Sequence, residues 1–237
     1  MDDKNTNRTI EYYNTHADRY SEITRNADMS DIYKRFEEHL KPGSRILDLG
    51  CGSGRDSKYF LDKGYDVVSL DASETMCKKT YELTGRPALN MRIEDINCEN
   101  EFDAVWACAS MLHVDKGDMI KIFAKVMKAL KIGGVFYASW KYGKGEQTRD
   151  DGRTFANYTE TKVCDMVYSV SGAALEDVWT SQDVRPDRTG QGHLWVNVLV
   201  KKTRVVITEK EFLNIFWKQY QICLLYTSPS PRDSTSS

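Results

Sequence analysis

Residues 45–55 read Arg45-Ile46-Leu47-Asp48-Leu49-Gly50-Cys51-Gly52-Ser53-Gly54-Arg55. Arg45–Leu49 has the character of a buried strand closed by a glycine cluster, and Arg55–Lys63 that of a helix ending at Gly64. Glycine lets the backbone turn tightly and lets a ligand lie against it without Cβ interference. At the carboxyl edge of an open parallel sheet, such a turn is where ligands bind. The plain alternative is a tight strand–helix turn without a ligand. The glycines stand at 50, 52 and 54, whereas the dinucleotide fingerprint G-x-G-x-x-G needs a glycine at 55, where this chain has Arg55. That spacing disfavours a nicotinamide or flavin cofactor and an oxidoreductase.

Downstream, Asp66–Leu70 is predicted as a second strand ending at Asp71, on the same edge of the sheet. A carboxylate there can accept charge-assisted hydrogen bonds from both hydroxyls of a ribose. It can also serve as a plain acid at the start of the next helix, which Ser73 caps and which runs to about Thr84.

The alternation continues in both directions. Residues 6–24 and 29–40 read as two helices before the strand, the first with Ile10, Tyr13, Ala17 and Tyr20 on one face. Further strands are expected at Ala88–Ile93, Phe102–Cys108 and Val135–Trp140. Asp115–Leu130 is expected as a helix with Ile120, Phe123, Met127 and Leu130 on one face, ended by Gly133-Gly134. Residues 143–157 read as a polar, glycine-rich loop, and Glu160–Val170 as a helix. Leu175–Val184 and Leu194–Val200 close the pattern as an antiparallel hairpin. The expected fold is α/β: a Rossmann-like, seven-stranded, mostly parallel sheet with a closing antiparallel hairpin and helices on both faces.

The bulk composition narrows the function. The 237 residues are 41% hydrophobic and 29% charged, with a formal net charge of -2, so no basic footprint for nucleic acid exists at the level of the whole chain. No apolar run approaches the roughly 20 residues of a membrane span, and the polar start of the chain is not a signal peptide. Six scattered cysteines and four dispersed histidines fit free thiols in a reducing cytoplasm and no metal site.

The run DLGCGSG (48–54) followed by Asp71 resembles the cofactor site of class I S-adenosyl-L-methionine-dependent methyltransferases. The resemblance covers roughly residues 10–202, and GRDSKYFLDKGYDVVSLD (54–71) is locally similar to the small bacterial tellurite-resistance type. It implies that Asp48 helps hold the methionine end and that Gly50, Cys51, Gly52 and Gly54 pass beneath the cofactor. It also implies that Asp71 and Ala72 meet the ribose. Asp95 and Ile96, within Glu94-Asp95-Ile96, would face the adenine, and Trp106 and Ala107, within 106–109, would lie beside the sulfonium. Tyr13 and Tyr20 would fold over the site from an N-terminal lid at 1–42, or else pack on the sheet. The domain would span 1–202.

Methyl transfer is an in-line displacement in which positioning supplies much of the rate, and a base is needed only where the acceptor must lose a proton. Candidate acceptor-side groups are His113, Lys141, Tyr142 and Arg185, each of which has an ordinary structural reading as well. Arg149, Arg153, Arg185 and Arg188 suggest a small, polar or anionic acceptor. DNA adenine and glutamine-amide methyltransferases carry N/D-P-P-Y/F/W after the fourth strand; this chain has ACAS (107–110) and no proline, which argues against DNA. A reading from another class is a catalytically idle cofactor-binding module that regulates a fused partner domain.

Residues 203–222 read as a linker and the start of a truncated further region, a fused domain lost at the C-terminus. Residues 223–237 read as a disordered tail. Within it, CLLYTSPSPRD (223–233) resembles a translation of the transposase end and adapter used in preparing DNA libraries.

Overall fold

In a computed structural model, residues 3–185 and 192–204 are described, all within one compact unit spanning Met1–Val206. The expectations for 205–237, and for Pro186, Asp187 and Arg188, lie outside the described residues.

Strands β1 (Arg45–Leu49), β2 (Asp66–Asp71), β3 (Ala88–Asn90), β4 (Phe102–Ala107), β5 (Leu130–Lys141), β8 (Ala173–Gln182) and β9 (Leu194–Lys202) form one sheet in the order β3-β2-β1-β4-β5-β9-β8. The five strands β1 to β5 pair in parallel, while β9 pairs antiparallel with both β5 and β8. The sheet is therefore the expected one.

Alternation along each strand sorts its side chains to two faces. Leu47, Leu49, Val105 and Ala107 enter one core, packed with α6 (Met119–Ala129) and α7 (Glu160–Ser169). Ile46, Ala104 and Trp106 enter the other, packed with α3 (Ser30–Glu37) and α4 (Arg55–Asp62). Helix α5 (Glu74–Thr84) begins as expected, with the Ser73 hydroxyl accepting from Met76 N.

Several elements differ from expectation. The first helix is two, α1 (Asp3–Thr15) and α2 (Ala17–Arg25), interrupted at His16. The strand expected at 88–93 stops at Asn90 and gives way to a 3-10 turn at Ile93–Asp95. Helix α6 starts at Met119, because Asp115–Asp118 forms a turn of its own, with Asp118 N–H donating to Asp115 O at 3.0 Å. Its buried stripe is Met119, Ile122, Phe123, Val126 and Met127, and Ile120 is half exposed. At about 100° per residue, Ile120 falls at the stripe's margin. Gly133 and Gly134 do not end that helix; they lie inside β5, which begins at Leu130. Residues 143–157 hold a small hairpin, β6 (Glu146–Thr148) against β7 (Thr154–Ala156). The many polar and glycine residues there hide the alternation that marks larger strands. No helix among the described residues is long and apolar enough to cross a membrane.

Candidate functional site

The carboxyl ends of β1, β2 and β4 open into a cavity. Its floor is the loop after β1, where Gly50, Cys51, Gly52 and Ser53 line the wall. Gly50 has φ +79°, and a Cβ there would stand 2.4 Å from Ser110 Cβ, so the loop can pass β4 only without a side chain. Gly52, at φ +56°, has none of the described residues within 4 Å of where its Cβ would point. Ser110 fixes the approach from the other side, its hydroxyl donating to Leu49 O at 2.5 Å.

Asp71 ends β2 beside this loop. One carboxylate oxygen accepts from Gly52 N at 2.9 Å and the other from Ser73 N at 2.8 Å. Burial pushes its carboxyl above the ordinary value, and these backbone N–H groups oppose the shift. Asp71, Ala72 and Ser73 line the cavity together with Ile93 and Glu94. The acidic side chain at the third-strand position is therefore Glu94. Asp95 turns to solvent and Ile96 is buried in the core, as the 3-10 turn rotates successive residues apart.

Four other expected residues lie near the cavity without lining it. Asp48 is 1% exposed beneath the loop and accepts from Ser57 Oγ at 2.6 Å. Burial, with the Asp56 carboxylate adding to it, pushes the Asp48 carboxyl up. Gly54 sits behind the loop against Thr80 and caps α4. Trp106 is fully buried, its indole N–H donating to Asp56 at 2.9 Å, and Ala107 packs in the opposite core. Both belong to the strand proper, so the wall starts just after them, with Cys108, Ala109 and Ser110. Ala109 holds φ +52°, an uncommon conformation for a residue with a Cβ, and its N–H donates to Ser139 Oγ at 2.9 Å.

A second, outer cavity adjoins the first. Tyr13, Tyr20, Ala109, His113, Asp183, Arg185 and Trp195 line both. Tyr13 and Tyr20, from α1 and α2, meet edge to face at 5.1 Å. Asn14 anchors α1 on the start of α5, its side-chain oxygen accepting from Ser73 Oγ at 2.7 Å.

Tyr13 Oη lies 2.9 Å from His113 Nε2, and His113 Nδ1 lies 2.8 Å from Thr154 O. A carbonyl only accepts, so Nδ1 carries the proton, Nε2 is the acceptor and the Tyr13 hydroxyl donates to it. Burial, with Arg153 and Lys141 also disfavouring the cation, lowers the His113 pKa to about 4, so the ring is neutral near pH 7. Burial likewise pushes the Tyr13 hydroxyl well above the ordinary phenol range.

The β6–β7 hairpin furnishes the outer cavity. Phe155 is the ring on which three cations converge: Lys141 Nζ at 3.4 Å, Arg149 Cζ at 4.9 Å and Arg153 Cζ at 5.3 Å from its centroid. Arg153 also stacks over Tyr12 at 3.8 Å and pairs with Asp151 at 2.6 Å. Tyr142 lines the same cavity and is partly exposed. Arg185 pairs with Asp183, whose residue is only 4% exposed. Phe155, Trp195, Asp183 and the inner polar group Tyr137–Asn197–Ser181 were not singled out from the sequence. Nothing in their local pattern separates them from core or turn residues.

Residues 46–134 match the family model described as a methyltransferase domain. The chain has the Rossmann-like fold of S-adenosylmethionine-dependent methyltransferases. Phosphoethanolamine N-methyltransferase 1 of Arabidopsis thaliana is 29% identical over 197 residues, covering 78% of this chain, which spans 38% of that relative's length. Among solved structures, 1,6-didemethyltoxoflavin-N1-methyltransferase of Burkholderia thailandensis, with bound 1,6-didemethyltoxoflavin and S-adenosylhomocysteine, superposes with a TM-score of 0.68. It is 18% identical, and the match covers 84% of this chain and 88% of that one. The [4+2]-cyclase SpnF superposes with a TM-score of 0.64 at 13% identity, covering 81% and 95%. A cyclase on this architecture is a reminder that the fold alone does not fix the chemistry.

Proposed function

We propose that this chain transfers a methyl group from S-adenosyl-L-methionine to a small, anionic acceptor. The observation that carries the reading is the Tyr13–His113 pair, standing on the wall shared by a glycine-floored cavity and a cation-rich one. The glycine-floored cavity fits the cofactor. Its floor is free of side-chain bulk at Gly52, and it presents the buried Asp71 carboxylate for a ribose and Glu94 beyond it. When bound, the cofactor's sulfonium supplies an activated methyl group.

The chain's own residues then have four tasks. Gly50 and Gly52 admit the cofactor against the backbone. Asp71 holds the ribose. Lys141, Arg149, Arg153 and Arg185 give the outer cavity the positive field that draws an anion. Tyr13 moves a proton from an acceptor O–H or N–H to His113 Nε2, since the neutral ring has its lone pair on that atom. The Arabidopsis relative is named for phosphoethanolamine, so phosphorylated amino alcohols are the first acceptors to try. An acceptor side furnished in this way gives no support to an idle binding module.

The test joins calorimetry to a screen with labelled cofactor. S-adenosylhomocysteine should bind and NAD should not. Asp71→Ala should weaken binding by about 1.5–3 kcal/mol, the scale of hydrogen bonds to a charged group. Label should pass to small anions. Transfer to duplex DNA or a folded protein, and to no small molecule, would overturn the acceptor assignment; unchanged affinity in a folded Asp71→Ala protein would overturn the ribose role.

A further inference from the structure

The inner cavity continues past β4, over β5, β9 and β8, beyond the loop and strands proposed for the cofactor. On β9 the alternation sends Val196, Val198 and Val200 into the core with α6 and α7, which leaves Trp195, Asn197 and Leu199 on the opposite face. The register sets Trp195 directly between Lys141 of β5 and Ser181 of β8. Residues paired across antiparallel strands stand on the same face, and neighbouring strands lie about 4.8 Å apart. A cation, an indole ring and a hydroxyl therefore form one rank roughly 10 Å long. Lys141 lines the outer cavity, Ser181 the inner one, and Trp195 both.

The direction of the hydrogen bonds gives Ser181 its chemistry. The Tyr137 hydroxyl donates to Asn197 Oδ1 at 2.8 Å. Asn197 Nδ2 donates to Ser181 Oγ at 3.0 Å and, at a longer 3.4 Å, to Trp179 O. A carbonyl only accepts, so the nitrogen of this amide faces β8 and its orientation is fixed. Tyr137 and Asn197 are each 1% exposed, so water does not compete for these bonds. A hydroxyl has one proton and two lone pairs. Asn197 takes a lone pair of Ser181, and among the described residues no acceptor lies within hydrogen-bond range of the Ser181 proton. Ser181 thus offers a donor to whatever occupies this end of the cavity.

We infer that the methyl acceptor is flat and has two unlike ends: an anionic end at Lys141, an unsaturated body against Trp195, and a neutral hydrogen-bond acceptor, a carbonyl oxygen or ring nitrogen, at Ser181. Tyr13 and His113 line both cavities, as Trp195 does, so the middle of such a molecule faces the proton-carrying pair. This inference rests on the methyl-transfer reading above and narrows the anions that reading admits.

The test uses probes in pairs that share size and charge and differ in one polar group. Each of the three pyridinecarboxylates is paired with benzoate, and 4-carbamoylbenzoate with 4-isopropylbenzoate. Calorimetry is run on the full chain saturated with S-adenosylhomocysteine. At least one polar probe should bind about 3- to 10-fold more tightly than its apolar twin, the worth of a neutral hydrogen bond. Ser181→Ala should erase that preference. It should leave the affinities for the apolar twin and for S-adenosylhomocysteine within about twofold, which also shows that the variant is folded. Lys141→Met should weaken both members of the pair alike. Phosphoethanolamine, which has neither a flat body nor such an acceptor, should lose no affinity in Ser181→Ala. The assignment is overturned by a wild type with no preference, by a preference that survives Ser181→Ala, by a Ser181→Ala loss common to both members, or by Lys141→Met leaving both unchanged. A protein that binds S-adenosylhomocysteine but none of the probes overturns it too and leaves the cofactor reading standing. A protein that does not bind S-adenosylhomocysteine refutes the cofactor reading itself, and this inference with it.

Discussion

On the β1–β2 side the cavity wall is largely backbone, whereas on the β5–β9 side it is side chains drawn from distant segments. The first wall is a run of glycines within 50–54 and a carboxylate at 71, within one segment, 45–71, that folds locally into strand, loop, helix and strand. The second takes Tyr13 from α1, His113 from the turn after β4, Arg153 and Phe155 from the hairpin, and Asp183 and Trp195 from the final strand pair. A backbone wall can serve any acceptor, because it recognises only what all such cofactors share. A side-chain wall can be rebuilt one residue at a time without disturbing the sheet. The contrast predicts that damage to the two walls separates cleanly into binding or stability on one side and turnover on the other.

The largest effect is expected from the side-chain wall. On the proposed reading, Tyr13→Phe removes the proton carrier and leaves the ring in place. Turnover should fall by about 10²- to 10⁴-fold, the usual worth of positioned acid–base groups. Affinity for S-adenosylhomocysteine should change less than about threefold. Single-turnover rates and calorimetry on the same protein check the pair of statements. A loss of turnover under about tenfold would reduce the Tyr13–His113 hydrogen bond to a latch for α1.

The backbone wall should respond differently at its two cavity-lining glycines, Gly50 and Gly52. Gly50→Ala puts a Cβ 2.4 Å from Ser110 Cβ at φ +79°, so the loop or β4 must move. The expected cost is about 2–4 kcal/mol of stability, combining overpacking with a left-handed alanine. Gly52→Ala meets no atom within 4 Å, so it should cost only about 1–2 kcal/mol for its φ of +56°. Its Cβ would then crowd whatever lies on the floor, and ligand affinity should fall more than stability does. Denaturant midpoints with parallel titrations decide this. Equal losses of stability at 50 and 52 would mean that the loop is held by its turn alone and not by its contact with β4.

The same contrast explains what the sequence reveals. Conformations that glycine adopts far more readily than other residues leave a mark at fixed spacing, so Gly50, Gly52 and the strands around them are legible, as is the acid that ends β2. The parallel strands are legible too, because burial on both faces makes them largely apolar runs, as in Ala104–Ala107 of β4. The hairpin at 146–156 is not, since it is two triplets of mostly polar residues whose pairing depends on the turn between them. Glu94 against Asp95 is a choice of rotation within one 3-10 turn, below what spacing can resolve. Phe155 gains its meaning only from three cations that arrive from Lys141, Arg149 and Arg153, and its own neighbours give no sign of this.

A further effect links the side-chain wall to stability through pH. His113 titrates near 4 in the folded chain, mainly because of burial, against about 6.5 for an exposed histidine. The folded state therefore favours the neutral ring. Above about pH 6.5 both folded and unfolded chains hold it neutral, and its contribution is fully present. As pH falls from 6.5 toward 4 the unfolded chain takes up a proton that the folded chain refuses, and stability drains away. Below 4 both are protonated and the loss is complete. The whole swing is about 1–3 kcal/mol, allowing for residual solvent contact at the ring. Carboxylates titrate in the same window, so the wild type alone is not diagnostic. The gap in unfolding free energy between the wild type and His113→Asn isolates the ring. It should shrink by about 1–3 kcal/mol between pH 7 and pH 4. A gap that stays constant on acidification would mean that folding leaves the His113 pKa unshifted, and one that widens would mean that the folded chain favours the protonated ring. A protonated ring could not receive a proton from Tyr13, and the turnover predicted to depend on that pair would need another base.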